Sequence, residues 1–210
     1  MGNSLRTVGI AGIESAPWGT HFCHFYQTKE GLIDLLVPYF KAGLENNEFC
    51  LWVLSDSLDE NGAREAMRKA VPQFDRYLQN GQMEIISHAE WYLKGGVFNL
   101  QLLIQEWIDK LNNRALPRGY DGMRATGDYI KIAKTSWKDF AQYEEALDKA
   151  IQKNKMLVLC TYALDKCVAP TVIEVVRTHA FAFVEYMGAW YRMQSKRLED
   201  VSNKSAERSG

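Results

Sequence analysis

Residues 21–26, HFCHFY, place two histidines and a cysteine within four positions. Imidazole and thiolate are common zinc ligands, and a cysteine beside a histidine can also act as a nucleophile. Side chains alternate along a strand, so His21 and Cys23 would share one face and His24 would point to the other. Two ligands are fewer than zinc takes, so the sequence favours a site without a metal. If a metal binds, we expect His21 and Cys23 to hold it, with Cys160 or His88 completing the set.

Catalysis by a cysteine and histidine pair is a second interpretation of the same segment. It would also need a group that orients the histidine and donors that stabilise an oxyanion, and the sequence identifies neither. No cofactor is indicated. Enzymatic activity therefore stays open, with a role other than catalysis favoured.

Strand-like and helix-like patterns alternate along the chain and would position these side chains. Strands separated by single helices need crossover connections, which predicts an α/β fold with a central, mainly parallel sheet. We expect a loose start before residue 20, a domain over 1–185, and a C-terminal helix with a polar tail over 186–210. The predicted strands are 20–26, 49–54, 83–87, 122–126, 156–162 and 181–184, and the predicted helices are 29–44, 59–71, 100–111, 137–151 and 169–179.

Polar and aromatic residues follow the predicted strands. Ligands of parallel α/β sheets bind outside the carboxyl ends of the strands, so a pocket would form there if several of these side chains converge. The candidates are His21, Cys23, His24, Tyr26, Ser55, Asp56, His88, Glu90, Trp91, Tyr92, Arg124, Thr126, Asp128, Tyr162 and Asp165.

Composition and charge restrict the class of protein and its partners. Lys and Arg together number 25 and Asp and Glu 26, so no overall field attracts nucleic acid or an anionic membrane. No apolar run approaches the roughly 20 residues of a membrane helix, and the N-terminus lacks a signal pattern. Four cysteines without a CxxC pair are typical of reduced thiols. We expect a cytoplasmic protein without direct nucleic-acid or membrane contacts.

Nucleotide binding is the enzyme class that the sequence argues against most directly. The segment between Tyr26 and Leu32 reads QTKEG and lacks the GxxxxGK[ST] pattern whose backbone amides wrap a phosphate. The dinucleotide fingerprint GxGxxG is absent as well. ATP hydrolysis and dinucleotide chemistry are therefore not expected.

Residues 21–53, 122–151 and 158–184 together resemble the MEDS family, the methanogen and methylotroph sensory domain. The motifs that carry the resemblance are H-x-C-x-x-Y at 21–26, R-x-T-G-[DE] at 124–128, Tyr143 with Glu144, and R-T-H at 177–179. The resemblance implies a three-layer RecA-like domain that has lost its nucleotide loop. By position it implies ligand contacts from His21, Cys23, Tyr26, Arg124 and Asp128. Glu144 and His179 fall within or at the end of predicted helices and are left out of the predicted site.

The resemblance implies a sensory domain of an archaeal or bacterial signal-transduction or transcription-regulation system. We expect a small organic ligand, of one-carbon or hydrocarbon type, at the strand exits. Aromatic residues such as Trp91 would enclose it, Glu90 lies beside them, and Arg124 and His21 would orient its polar end. No helix-turn-helix or kinase segment follows, so a signalling partner or a missing output domain is expected, and a homodimer stays open. The alternatives are a Cys/His or zinc-centred enzyme acting on a small methylated compound, and a partner-binding module.

Overall fold

The computed structural model describes residues 4–92, 99–128, 137–187 and 189–194. No helix within those ranges combines the length and apolarity needed to cross a membrane. The strands of these ranges are β1 (Leu5–Ile10), β2 (Ile13–Pro17), β3 (Thr20–Tyr26), β4 (Phe49–Val53), β5 (Met83–Ile86), β6 (Met123–Asp128), β7 (Met156–Ala163), β8 (Phe181–Tyr186) and β9 (Ala189–Gln194). The α-helices of these ranges are α1 (Lys29–Glu45), α2 (Glu60–Ala70), α3 (Phe74–Gln79), α4 (His88–Tyr92), α5 (Leu100–Asp109), α6 (Trp137–Gln152) and α7 (Ala169–Thr178). A π-helical turn (Lys110–Ala115) and two short 3₁₀ turns (Leu116–Arg118 and Leu164–Lys166) complete the helical segments of the described chain.

The central sheet has the strand order β5-β4-β6-β7-β3-β8-β9. Its strand pairs are parallel except the pair of β8 and β9, which is antiparallel. Every residue of β3, β4, β6 and β7 is buried, as expected for strands that helices cover on both faces. The predicted α/β fold with a mainly parallel sheet is confirmed.

Helices cover the sheet from two sides and give it three layers. Phe22 of β3 packs its ring against Tyr39 of α1, whereas the preceding residue, His21, contacts Asp148 of α6. Successive side chains of a strand point to opposite faces, so α1 and α6 lie on opposite sides of the sheet. Helix α2 packs on α1, and α5 and α7 pack on α6.

The connection from β3 to α1 is short. Only Gln27 and Thr28 separate the two elements, and the Thr28 hydroxyl accepts a hydrogen bond from the Gly31 amide at 3.0 Å. This N-cap uses an amide that a phosphate loop would offer to its ligand. This short, capped connection agrees with the absence of the GxxxxGK[ST] pattern from the sequence.

The N-terminal segment differs from the predicted loose start. Strands β1 and β2 form an antiparallel hairpin, and β1 packs on α1. Gly9 has φ +82°, and a Cβ there would lie 2.3 Å from the Pro38 carbonyl oxygen. Only glycine allows this approach of hairpin to helix. The contacts that hold the hairpin come from distant residues, which local patterns do not show.

The predicted C-terminal helix from Tyr186 is wrong. Strand β8 runs through Tyr186, the chain turns at Met187 with φ 51°, and β9 returns along β8 as an edge strand. Aromatic residues such as Trp190 and Tyr191 suit a strand, and hydrogen bonds to β8 favour this pairing over an isolated helix. The predicted polar tail from residue 195 onward lies outside the described residues.

Candidate functional site

Arg124 lies at the amino end of β6, as its second residue, and not at a strand exit. Asp128 stands four positions further along the strand, at a distance of roughly 13 Å. Its Nε donates to Glu48 Oε2 at 2.7 Å, and its Nη1 and Nη2 donate to the carbonyls of Thr7, Val8 and Tyr39 at 2.7 to 2.8 Å. The predicted position beside His21 and Tyr26 at the exits is therefore wrong, because β6 begins one residue before Arg124.

Arg6, Glu48 and Arg124 form what we call the ion-pair cluster. Arg6 Nε donates to the second Glu48 oxygen at 2.9 Å, so both carboxylate oxygens accept charge-assisted hydrogen bonds. The side chains of Glu48 and Arg124 are completely buried. The cluster joins the N-terminal hairpin to α1 and β6, which marks Arg124 as a structural residue.

Tyr26, Ser57 and Asp128 meet at the carboxyl ends of three strands, and we call them the exit cluster. The Tyr26 hydroxyl lies 3.2 Å from Ser57 Oγ and donates to Asp128 Oδ2 at 3.2 Å. Burial, and then the Asp128 carboxylate, raise the pKa of Tyr26 to about 12. Strand β7 separates β3 from β6, so the phenol reaches across it. The structure thus brings together two predicted site residues, Tyr26 and Asp128, and adds Ser57.

His24 lies beside the exit cluster on the same sheet face. Its ring centroid is 6.2 Å from that of Tyr26 and 5.3 Å from that of Trp190 on β9. Burial lowers the pKa of His24 to about 3. Neither ring nitrogen has a hydrogen-bond partner within the described part of the chain. Trp190 was not expected beside His24, because its segment was predicted to be helical.

Glu90 and Trp91 do not join the exit cluster. Both lie on α4, which follows edge strand β5, and three strands stand between β5 and β3. Trp91 is buried against Trp107 with ring centroids 5.1 Å apart, whereas Glu90 is exposed. Trp91 is therefore a core residue at this end of the sheet.

A second group of buried polar side chains lies on the opposite face of the sheet. It comprises His21, Glu144, Cys160 and His179, which we call the buried centre. One potential ligand atom from each lies within 4.8 Å of those of the other three. His21 Nε2 is 3.1 Å from Cys160 Sγ and 3.9 Å from Glu144 Oε2, and His179 Nε2 is 3.5 Å from Glu144 Oε2.

Four elements supply the residues of the buried centre. His21 comes from β3, Cys160 from β7, Glu144 from α6, and His179 directly follows α7. Cys23 pairs in register with Cys160, but it is not one of the four clustered residues. His21 is the second residue of β3, so the centre lies away from the strand exits. Of the four residues named for a possible metal, His21 and Cys160 belong to the centre, whereas Cys23 and His88 do not.

Further contacts orient the members of the buried centre. His179 Nδ1 lies 2.7 Å from the Val175 carbonyl oxygen, which fixes a donor there and leaves Nε2 facing Glu144. The Tyr162 hydroxyl donates to Glu144 Oε1 at 2.9 Å. His21 Nδ1 lies 3.4 Å from Asp148 Oδ1.

Burial shifts the pKa values of the ionisable groups in the buried centre. Burial lowers the pKa of His21 to about 3 and that of His179 well below its ordinary value. Burial also raises the pKa of Glu144 to about 8, although the Tyr162 hydrogen bond opposes the rise. Within the described residues, Glu144 Oε2 and His179 Nε2 have no hydrogen-bond partner. These two atoms lie 3.5 Å apart and face each other.

The sequence contained a signal for two members that the predicted site omitted. Glu144 follows Tyr143 in one motif of the resemblance, and His179 ends the R-T-H motif. Because both residues fall within or at the end of predicted helices, they were not expected to join a site at the sheet. Helix α6, however, packs on β3 and β7, and α7 packs on α6, so both side chains are buried against the sheet.

Two solved structures illustrate the similarity of the fold to known proteins. A KaiC-like protein from Pyrococcus horikoshii OT3 matches with a TM-score of 0.61 and 15% identity, over 91% of this chain and 86% of that one. The flagellar accessory protein FlaH from Methanocaldococcus jannaschii matches with a TM-score of 0.58 and 11% identity, over 90% and 85%. The fold is therefore RecA-like, as the resemblance implied.

Sequence comparison identifies the family. A comparison with curated proteins finds no match. The profile described as MEthanogen/methylotroph, DcmR Sensory domain matches residues 20–180. This match spans β3 to the end of α7, including both the exit cluster and the buried centre. The chain belongs to the MEDS family of sensory domains.

Proposed function

We propose that this domain senses a small organic ligand at the exit cluster and passes the signal to a partner protein or an output domain outside this chain. The observation that carries the proposal is the convergence of three strand exits on the Tyr26 hydroxyl. Tyr26 ends β3, Asp128 ends β6, and Ser57 follows β4. Carboxyl ends of parallel strands are where α/β sheets bind ligands.

The chemistry of the exit cluster suits a compound with one small polar group. Asp128 offers carboxylate oxygens that accept hydrogen bonds, and the hydroxyls of Tyr26 and Ser57 donate or accept them. A ligand hydroxyl or amine can replace the contacts that these side chains make with one another. The rings of His24 and Trp190 offer an aromatic surface for an apolar methyl or methylene group.

The position of β9 provides a route for the signal. Trp190 of this edge strand contacts His24, and β9 leads towards the C-terminal end of the chain. Strand β9 pairs only with β8 within the described sheet, so it has fewer neighbours to resist a shift. Occupancy of the exit cluster would therefore be transmitted through Trp190 to β9.

Calorimetric titration of the full chain with methanol and methylamine tests the proposal. We expect saturable binding of at least one of these probes. Tyr26→Phe should weaken it about tenfold, because one hydrogen bond to a charged or polar partner is worth about 1.5 kcal/mol. Tyr77→Phe on α3 is the matched control and should bind as the wild type does. Absence of binding by both probes, or equal affinity of Tyr26→Phe and wild type, would contradict the proposal.

A further inference from the structure

We propose that the buried centre, His21, Glu144, Cys160 and His179, is a binding site for one divalent transition metal, with Zn²⁺ the ion that its ligands fit best. Two imidazoles, one thiol and one carboxylate form a set of nitrogen, sulfur and oxygen ligands typical of zinc. The site is independent of the proposed ligand site, because His21 and Tyr26 point to opposite faces of β3.

The distances among the four side chains match a tetrahedral site. Zinc bonds of about 2.0 to 2.3 Å place neighbouring ligand atoms about 3.3 to 3.8 Å apart in a tetrahedron. Three of the separations in the buried centre are 3.1, 3.5 and 3.9 Å. Every separation among the four ligand atoms is within 4.8 Å. Shifts of up to about 1 Å would therefore complete the coordination.

The surrounding contacts orient the ligands as they do in metalloproteins. Metal-binding histidines usually donate their second nitrogen to a carbonyl or carboxylate, and ligating carboxylates are usually hydrogen-bonded themselves. His179 Nδ1 lies 2.7 Å from the Val175 carbonyl oxygen, and His21 Nδ1 lies 3.4 Å from Asp148 Oδ1 without a hydrogen bond. The Nε2 atoms of both rings lie beside Glu144 Oε2. The Tyr162 hydroxyl holds Glu144 Oε1 and leaves Oε2 directed towards them.

The charge of the site also fits a divalent ion. A thiolate from Cys160 and a carboxylate from Glu144 would together neutralise two positive charges. All four side chains are buried, and burial of net charge is costly unless it is compensated. The ion would also give Glu144 Oε2 and His179 Nε2 the partner that they lack among the described residues.

A groove between α6 and α7 gives the metal an access route. It has a volume of about 580 Å³ and is lined in part by Asp148, Gln152, Glu174 and Thr178. Asp148 has a side chain that is 24% exposed and contacts His21 Nδ1. This carboxylate therefore connects the groove to the buried centre.

Titration of the metal-free full chain with Co²⁺ tests the proposal, because cobalt takes zinc sites and reports its ligands by absorption. We expect one Co²⁺ per chain, visible bands of four-coordinate cobalt and a thiolate charge-transfer band. Zn²⁺ should displace the cobalt and remove these bands. Cys160→Ser should lose the charge-transfer band, whereas Cys50→Ser, a buried cysteine on β4, should retain it.

Two further measurements keep the result decisive if a variant folds poorly. Circular dichroism checks that each metal-free variant is folded. Asp148→Asn changes a residue at the groove, and it should weaken Zn²⁺ binding at least tenfold while the cobalt-loaded variant keeps the bands of four-coordinate cobalt. Wild-type protein that binds substantially less than one Co²⁺ per chain at micromolar concentrations would overturn the proposal. So would a charge-transfer band that survives in Cys160→Ser.

Discussion

The ion-pair cluster and the buried centre are both polar groups inside the same sheet domain, yet they differ in how their atoms are paired. In the ion-pair cluster, both Glu48 oxygens accept hydrogen bonds and Arg124 donates to Glu48 and three carbonyls. In the buried centre, Glu144 Oε2 and His179 Nε2 lie 3.5 Å apart, and neither has a hydrogen-bond partner within the described residues.

This difference in pairing distinguishes buried polar groups that stabilise the fold from buried polar groups that are suited to bind a ligand. A fully paired cluster gains nothing from a ligand, and removal of one partner leaves an uncompensated charge. Buried polar atoms that face each other without hydrogen-bond partners cost stability until something binds between them. Burial and residue type alone would not distinguish the two groups, because both contain ionisable side chains at full burial.

The largest expected effect is on the ion-pair cluster. Arg124→Ala would leave Glu48 buried without its main partner, so we expect the free energy of unfolding to fall by about 3 to 5 kcal/mol. For a chain of this size the midpoint of thermal unfolding should fall by roughly 10 °C. Urea and thermal unfolding measure both quantities.

A matched control is Arg68→Ala, which removes an exposed ion pair with Asp75 and should leave the midpoint unchanged. If Arg124→Ala were as stable as the wild type, the ion-pair cluster would not be structural. Arg124 would then return as a candidate for ligand binding.

A smaller effect is expected from zinc on the buried centre. At a zinc concentration 100 times the wild-type Kd, binding to the folded state should add about 2.7 kcal/mol to the free energy of unfolding. His179→Gln should lose this gain. His24→Gln, which changes a buried histidine on the opposite face, should retain it. An equal gain in His179→Gln would mean that zinc binds elsewhere.

The smallest effect concerns pH and His24, which is buried without belonging to either group. Burial lowers the pKa of His24 from its ordinary value of 6.5 to about 3 in the folded protein. Between these two pH values, the unfolded chain binds a proton at His24 that the folded chain does not bind. Stability is therefore lost as the pH falls through this range. In EDTA, His24→Gln should lose about 2 kcal/mol less than the wild type between pH 7.5 and pH 5. Parallel stability curves for the two proteins would show that His24 is not protected from protonation.

Local patterns predicted most of the fold. The apolar strands and the helices between them appear in the sequence because each has its own periodicity, as in α1 with its Thr28 cap. The N-terminal hairpin and β9 were missed for a different reason. The hairpin depends on Arg124, more than 100 residues away, and β9 depends on pairing with β8.

The site was only partly predictable, because proximity across the sheet depends on strand order. Tyr26 and Asp128 were expected together and do meet. Arg124 was misplaced although the predicted strand began only one residue early, because the resemblance grouped it with Asp128 and it lies at the opposite end of β6. The expectation of no metal counted ligands from one strand only. The set around His21 reaches four with Cys160 from the neighbouring strand, Glu144 from α6 and His179, which directly follows α7.

X-ray absorption at the zinc edge, on zinc-loaded full chain, tests most directly whether the unpaired atoms of the buried centre hold a metal. The spectrum should show one sulfur at about 2.3 Å and three nitrogen or oxygen ligands at about 2.0 to 2.2 Å. Cys160→Ser should remove the sulfur contribution. A zinc shell of oxygen and nitrogen alone in the wild type, or with two sulfurs, would contradict the assignment of His21, Glu144, Cys160 and His179 as the ligands.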